Sequence, residues 1–439
     1  MQFNPFDPAV RQNPYPQYAE LRREDPVHRM DSMGFWAVTR YQDVQYVLKN
    51  PQLFSSEGMA GPQGLQGGVI RSIITMDPPD HGPFRTLISR AFTPRMISAL
   101  EPRIREITHQ LLSGIGHKTE FDAINGLALP LPIRVIAEML GVEPARYNDF
   151  KRWSDILVGM LMPQGASPEQ VAYAEAETAA FQQYFRWAIE ERRRHPGDDL
   201  ISALVQAEEK HQHLTVDEVF GFAGLLLVAG NETTTNLLGN MLLALLEHPD
   251  QLKLLLNDPS LIPAAIEETL RYDSPVQMLF RIAREDVELG GKQIAKGSLI
   301  WPVLGSANRD ETRFPDPDRF DITRDAGGHV AFGYGIHFCI GAPLARLETR
   351  IAMEELLPHL AGMRAPERPL EYIDAFFLRG LKRLPLALPQ PVLASMPPSP
   401  AELARLMRAS AGALAKDAYR GTRTLIRRSL GRSPSESSS

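Results

Sequence analysis

A single cysteine, Cys339, occurs in the 439 residues. The chain therefore has no internal disulfide and no zinc or iron-sulfur site built from its own cysteines. Long apolar runs are also missing. Val219 to Gly230 is apolar but runs into Asn231-Glu232-Thr233-Thr234-Thr235-Asn236, well short of the roughly 18 continuous apolar residues that a membrane span needs. The opening Met1-Gln2-Phe3-Asn4-Pro5-Phe6-Asp7-Pro8 has neither the basic nor the apolar region of a secretion signal, so a cytoplasmic protein is expected. Positive charge is not in excess: the net charge of −6 argues against a general affinity for nucleic acid. No G-x-G-x-x-G lies between a strand and a helix. The nearest case, Gly333-x-Gly335, has Phe338 where the third glycine belongs, so no flavin or nicotinamide domain is read.

What is present is a helix-rich body. The composition, 44% hydrophobic and 23% charged, is that of a globular protein, and the length implies two domains or one unusually large one. Residues 57 to 75 are rich in glycine and read as a long functional loop. From about Pro83 to Leu256 the pattern is helical. Thr215-Val216-Asp217-Glu218 is a capping box, and no proline follows until Pro249, which predicts one buried helix of about 33 residues. Within it, an acid and three threonines at 232 to 235 are costly to bury and therefore informative. Asp286 to Ile294 reads as a hairpin turning at Gly290-Gly291.

Around the cysteine runs Phe332-Gly333-Tyr334-Gly335-Ile336-His337-Phe338-Cys339-Ile340-Gly341, followed by an amphipathic helix from about Pro343 to His359. Glycines let the backbone approach a large flat ligand, and a thiol ahead of a helix start meets free N–H groups that favour the thiolate. An ordinary cysteine in a Gly-rich turn is more often inert core. This run, however, resembles the haem-binding loop of the cytochrome P-450 family, F-G-x-G-x-H-x-C-x-G, at every defining position. The resemblance extends from about Asn4 to Leu388 and implies a mainly α fold with small β-sheets. It also implies haem b between the long helix and the cysteine loop, with Cys339 as the iron's axial ligand and Phe332, Gly333 and Gly341 around it.

Three further motifs follow the family's order. Glu268-Thr269-Leu270-Arg271 matches its E-x-x-R, with Arg319 as the arginine that completes a structural ion-pair network. His81-Gly82-Pro83-Phe84-Arg85 matches H-x-x-x-R, whose i, i+4 spacing puts two cationic donors on one helix face. With Arg281 and His337 they are expected to hold the haem propionates by charge-assisted bonds. Ala229-Gly230-Asn231-Glu232-Thr233-Thr234 matches the family's A/G-G-x-D/E-T, where the helix is expected to open over the ligand, Ala229 and Gly230 facing it. The resemblance makes Glu232 the link to bulk solvent and Thr233 the donor toward dioxygen, with Thr234 as an alternative hydroxyl. Threonines that merely bond back to helix carbonyls are the ordinary alternative, which a buried carboxylate beside three threonines disfavours.

The reaction implied is oxygenation of a lipophilic substrate by O2. Electrons are expected from separate proteins, a ferredoxin or flavodoxin and its reductase, docking near Arg85, Arg90, Arg95, Arg346 and Arg350. Alternatives on the same fold are a peroxide-driven enzyme, which in this family replaces the acid-alcohol pair by arginine and proline, and a non-catalytic haem protein. By position the pocket is expected to be lined by Leu225, Val228, Gln277, Met278, Leu279, Phe376 and Phe377. The loop at 57 to 75 and the segment Leu157 to Gln164 are expected at its mouth. The domain is assigned residues 1–388, a Pro-rich linker 389–400, and a basic segment with a Ser-rich end 401–439. That last segment has eight Lys/Arg against three acids. It reads either as a basic amphipathic helix for an anionic membrane or an acidic protein, or as a solvated, disordered extension.

Overall fold

The longest element of the computed structural model is the helix Val216–Glu247. Thr215 caps it: its Oγ accepts from the Glu218 N–H at 3.2 Å, and Glu218 Oε2 accepts from the Thr215 N–H at 2.9 Å. The helix is unbroken across all 32 residues. Its buried positions include Val219, Phe220, Phe222, Leu227, Leu237, Leu238, Met241, Leu242 and Leu245. The surrounding helices Pro130–Met139, Tyr147–Met160, Pro168–Arg194, Ile262–Tyr272 and Ala342–Leu360 all pack on it. A helix apolar on most faces is stable only when enclosed in this way. Gly230 permits one of these approaches, since a Cβ there would lie 2.4 Å from Ile136 Cδ1.

The structure describes residues 3–31, 34–57, 72–89, 92–113, 119–160, 167–208, 214–364 and 369–388. The expected linker and basic tail, residues 389–439, lie outside them, as does most of the Gly-rich loop (58–71). The described residues form one compact unit.

Beside the helices lies a five-stranded sheet in the order Val27–Met30, Phe35–Val38, Leu299–Pro302, Arg281–Ala283, Phe54–Ser55. Only the pair Phe35–Val38 and Leu299–Pro302 is parallel. The hairpin read at 286–294 is present as Val287–Leu289 paired with Lys292–Ile294. Among the described residues, the helical stretch from Pro83 to Leu256 includes two pieces that helical periodicity did not disclose. One is the short strand Glu120–Asp122, paired with Pro385–Ala387. The other is a single wide turn, Ile124–Ala128, whose Ala128 carbonyl accepts from Thr235 Oγ of the long helix at 3.1 Å.

Candidate active site

The cysteine loop is held by its own backbone. The Gly333 N–H donates to Val330 O at 2.8 Å, Phe338 N–H to Gly335 O at 3.1 Å, and Cys339 N–H back to Phe332 O at 2.9 Å. Gly335 sits at φ +74°, where a Cβ would meet the Leu48 carbonyl at 2.6 Å, so only glycine fits. The helix Ala342–Leu360 begins directly after Gly341. Cys339 is accessible, yet burial is the strongest influence on its thiol and raises its pKa. The N–H groups of Gly341 and Ala342 and the charges of Arg85 and Arg346 act the other way. The sulfur is thus solvent-accessible while protein groups around it still act on its ionisation.

Four basic side chains gather beside this loop. His81 and His337 meet edge to face with ring centroids 4.5 Å apart. Arg85 Nη2 donates to Phe338 O at 2.6 Å. Arg281 is buried and donates to Phe280 O at 2.7 Å. Burial pushes the His337 pKa down to about 3, helped by Arg281 and His81. Burial likewise lowers Arg281, to about 10, and lowers His81, with Arg85 adding to the effect. Nε2 of His81 is buried without a hydrogen-bond partner. Basic groups that destabilise one another's charge, with one orphaned nitrogen among them, form a receptor for an anionic group. A haem, with one iron for the accessible thiol and two carboxylates for the basic cluster, fits this donor set.

On the long helix, Leu225, Leu226 and Val228 are partly accessible and Ala229 is exposed, between the buried Leu227 and Asn231. Glu232 is partly buried. Burial raises its carboxyl pKa, Asp155 adds to the rise and Lys151 opposes it. Lys151 and Asp155 are paired to each other at 2.6 Å. Thr233 Oγ donates to the Ala229 carbonyl at 2.6 Å, and Thr234 is buried. One expectation changes here: the helix runs unbroken through 229–233 rather than opening.

Further corrections concern the ion-pair network and the pocket. Glu268 and Arg271 pair bidentately at 2.7 and 2.9 Å, both wholly buried. The third guanidinium is that of Arg324, with Nε 3.4 Å from Glu268 Oε1. Arg319 is 65% exposed and lies 3.8 Å from Asp321, contributing only its carbonyl to Arg271 at 3.2 Å. Gln277 and Met278 are core residues: the Gln277 amide donates to Ser274 O at 2.7 Å, and Met278 packs with Phe3, Tyr15 and Trp301. Leu279 stays beside the cysteine loop, 3.7 Å from where a Gly333 Cβ would lie. Phe376 and Phe377 are partly buried against Phe280. Arg346 and Arg350 are engaged by Glu267, Glu101 and Glu354. Arg95 is exposed, and Arg90 and residues 161–166 of the expected mouth lie outside the described residues.

The sequence reading missed Arg324, Lys151, Asp155, and Ser56, whose Oγ lies 3.0 Å from His337 Nε2. Asp321-Ile322-Thr323-Arg324, with a second arginine five residues past Arg319, was the only available signal.

Comparison with known proteins agrees with this arrangement. The family model "Cytochrome P-450" matches residues 133–371. The structure of CYP109Q5 from Chondromyces apiculatus is 48% identical, covers 88% of this chain and 98% of its own, and superposes with a TM-score of 0.81. CYP109E1 from Bacillus megaterium, solved in complex with testosterone, is 41% identical, covers 87% and 99%, and gives 0.80. Vitamin D(3) 25-hydroxylase of Pseudonocardia autotrophica is 42% identical over 87% of this chain and 96% of that protein. A thiol ahead of a helix start with four basic side chains beside it, in a chain this similar to those proteins, defines a haem-thiolate oxygenase. The chain belongs to the cytochrome P-450 family.

Proposed function

We propose that this cytochrome P-450 is a haem b monooxygenase that converts R–H, O2, two electrons and two protons into R–OH and H2O on a lipophilic substrate. The observation that carries the reading is the one thiol, accessible and set just ahead of a helix start, with four basic side chains beside it. When bound, the haem supplies dioxygen activation, which a thiolate ligand promotes by donating electron density. Cys339 holds the iron, and the helix N-terminus behind it favours the ionised sulfur. His81, Arg85, Arg281 and His337 hold the carboxylates. Leu225, Val228 and Ala229 exclude water and offer an apolar wall to the substrate. Glu232, made easier to protonate by its burial, takes protons from the solvent side near Lys151 and Asp155. Thr233 passes them inward once its hydroxyl leaves the Ala229 carbonyl.

Electrons come from a ferredoxin or flavodoxin and its reductase, since the chain carries no nucleotide-binding glycine motif. Exposed Arg95, near the helix that carries Arg85, suits an acidic partner better than Arg346 and Arg350, which already have acids as neighbours. The intact Glu232-Thr233 pair favours O2 over peroxide as oxidant. Two relatives named for, or crystallised with, vitamin D and testosterone make secosteroids and steroids the first substrates to test.

The reduced protein with carbon monoxide should show the strongly red-shifted Soret band of a thiolate ligand, and testosterone or vitamin D3 should shift the iron's spin state. Turnover should need a ferredoxin pair and O2. A Cys339→Ser protein that kept the thiolate spectrum would refute the assignment, and turnover by peroxide alone would favour the peroxygenase.

A further inference from the structure

The pairing of Phe54–Ser55 with Arg281–Ala283 sets Ser55 opposite Ile282. The next residue, Ser56, is wholly buried, and its Oγ lies 3.0 Å from Nε2 of His337, 281 residues further along the chain. Asp77, also buried, organises this corner. Its Oδ2 accepts from Ser55 Oγ and from Arg284 Nη2, both at 2.5 Å, and its Oδ1 accepts from the Ser56 N–H at 3.1 Å. Arg284 is anchored in turn, its N–H donating to Leu53 O at 2.8 Å and its guanidinium reaching Glu57 at 3.3 Å.

Burial works to raise the Asp77 pKa, and the hydrogen bonds from Ser55, Ser56 and Arg284 more than offset it, leaving an ionised carboxylate. That carboxylate fixes the backbone at Ser56 and so the place of its hydroxyl. Buried hydroxyls in or just after a helix can bond back to the carbonyl four residues earlier, as Thr108 and Ser274 do. Ser56 follows a strand end, where no such carbonyl is offered, and spends its bond on an imidazole. A ring held at one nitrogen has its plane and tautomer set for what the other side meets, as in the outer contacts of metal-bound histidines.

We propose that Ser56 is a positioning residue for His337, fixing the imidazole for its contact with a haem carboxylate, and that the Asp77–Arg284 pair holds Ser56 in place. This rests on the reading of His337 as a haem anchor. The test uses the full-length haem-loaded protein and measures two properties, the rate of haem transfer to apomyoglobin and the reduction potential. Ser56→Ala should release haem about threefold to tenfold faster, the range expected for one lost hydrogen bond, and should shift the potential. Ser56→Thr, which keeps the hydroxyl, should restore both, and Asp77→Asn should move them in the direction of Ser56→Ala. In a His337→Ala background, Ser56→Ala should add nothing. Wild-type haem release and potential in a folded Ser56→Ala protein, or fully additive effects of the two alanine changes, overturn the proposal. A wild-type chain that takes up no haem overturns the cofactor reading and the proposal with it, whereas a haem-loaded chain indifferent to Ser56 overturns the proposal alone.

Discussion

Thr233 spends its hydroxyl hydrogen on the Ala229 carbonyl, so as a proton donor it must first exchange that partner. A hydroxyl that switches between a helix carbonyl and an incoming oxygen species is cheap to move, because one hydrogen bond replaces another. Thr233→Ala should therefore leave haem content and substrate binding unchanged while product formed per electron falls several-fold and peroxide rises. Unchanged coupling would shift the role to Thr234. Glu232 is different, since its burial lifts its pKa, with Asp155 adding to the rise, and it holds a proton more readily near neutral pH than an exposed glutamate. Glu232→Gln cannot shuttle that proton, so oxygen activation should slow and its solvent deuterium isotope effect should grow. At this scale the cysteine loop was legible, because glycines, histidine and cysteine act within ten consecutive residues. Ser56 and Asp77 were not, because Ser56 meets His337 from 281 residues away and Asp77 meets Arg284 from 207 residues away.

The elements that announced themselves were those with local signals: the Thr215 capping box and the Gly290-Gly291 turn. The strand Glu120–Asp122 stayed hidden because its identity is conferred by Pro385–Ala387 across the chain, and three residues hold no periodicity. The helix Ile262–Tyr272 shows both outcomes. Its Glu268 and Arg271 fall on one face by spacing alone, while the third partner depends on how a loop folds back. That loop brings Asp321, whose N–H donates to Glu268 at 2.9 Å, and Arg324, which also donates to the carbonyls of Pro315, Asp316 and Arg319. Removing a partner from a buried carboxylate costs far more than removing an exposed charge. Arg324→Ala should destabilise the protein by about 2 kcal/mol in urea unfolding, and Arg319→Ala by under about 0.5 kcal/mol. Equal effects would return Arg319 to the network.

Across the whole molecule, the helix Ala342–Leu360 links the cysteine loop to the core, packing on Glu101–Ser113, Ile262–Tyr272 and the long central helix. Glu348 lies on this helix, buried, with neither carboxylate oxygen hydrogen-bonded. A charge there would be uncompensated, so burial pushes its pKa up from 4.5 to about 8. Between those two values the folded chain keeps a proton that the unfolded chain has released, and its stability must fall as pH rises through that window. Below pH 4.5 both states are protonated and the penalty vanishes. Glu348→Gln has no proton to lose. Its stability relative to the natural chain should therefore be near parity at pH 4 and rise to an advantage of about 3 kcal/mol by pH 7. Urea unfolding at pH 4, 5.5 and 7, with matched haem loading, reads this directly. A difference that stayed constant over the three would mean that Glu348 titrates alike in both states. The core would then hold a solvated carboxylate, with water satisfying its oxygens.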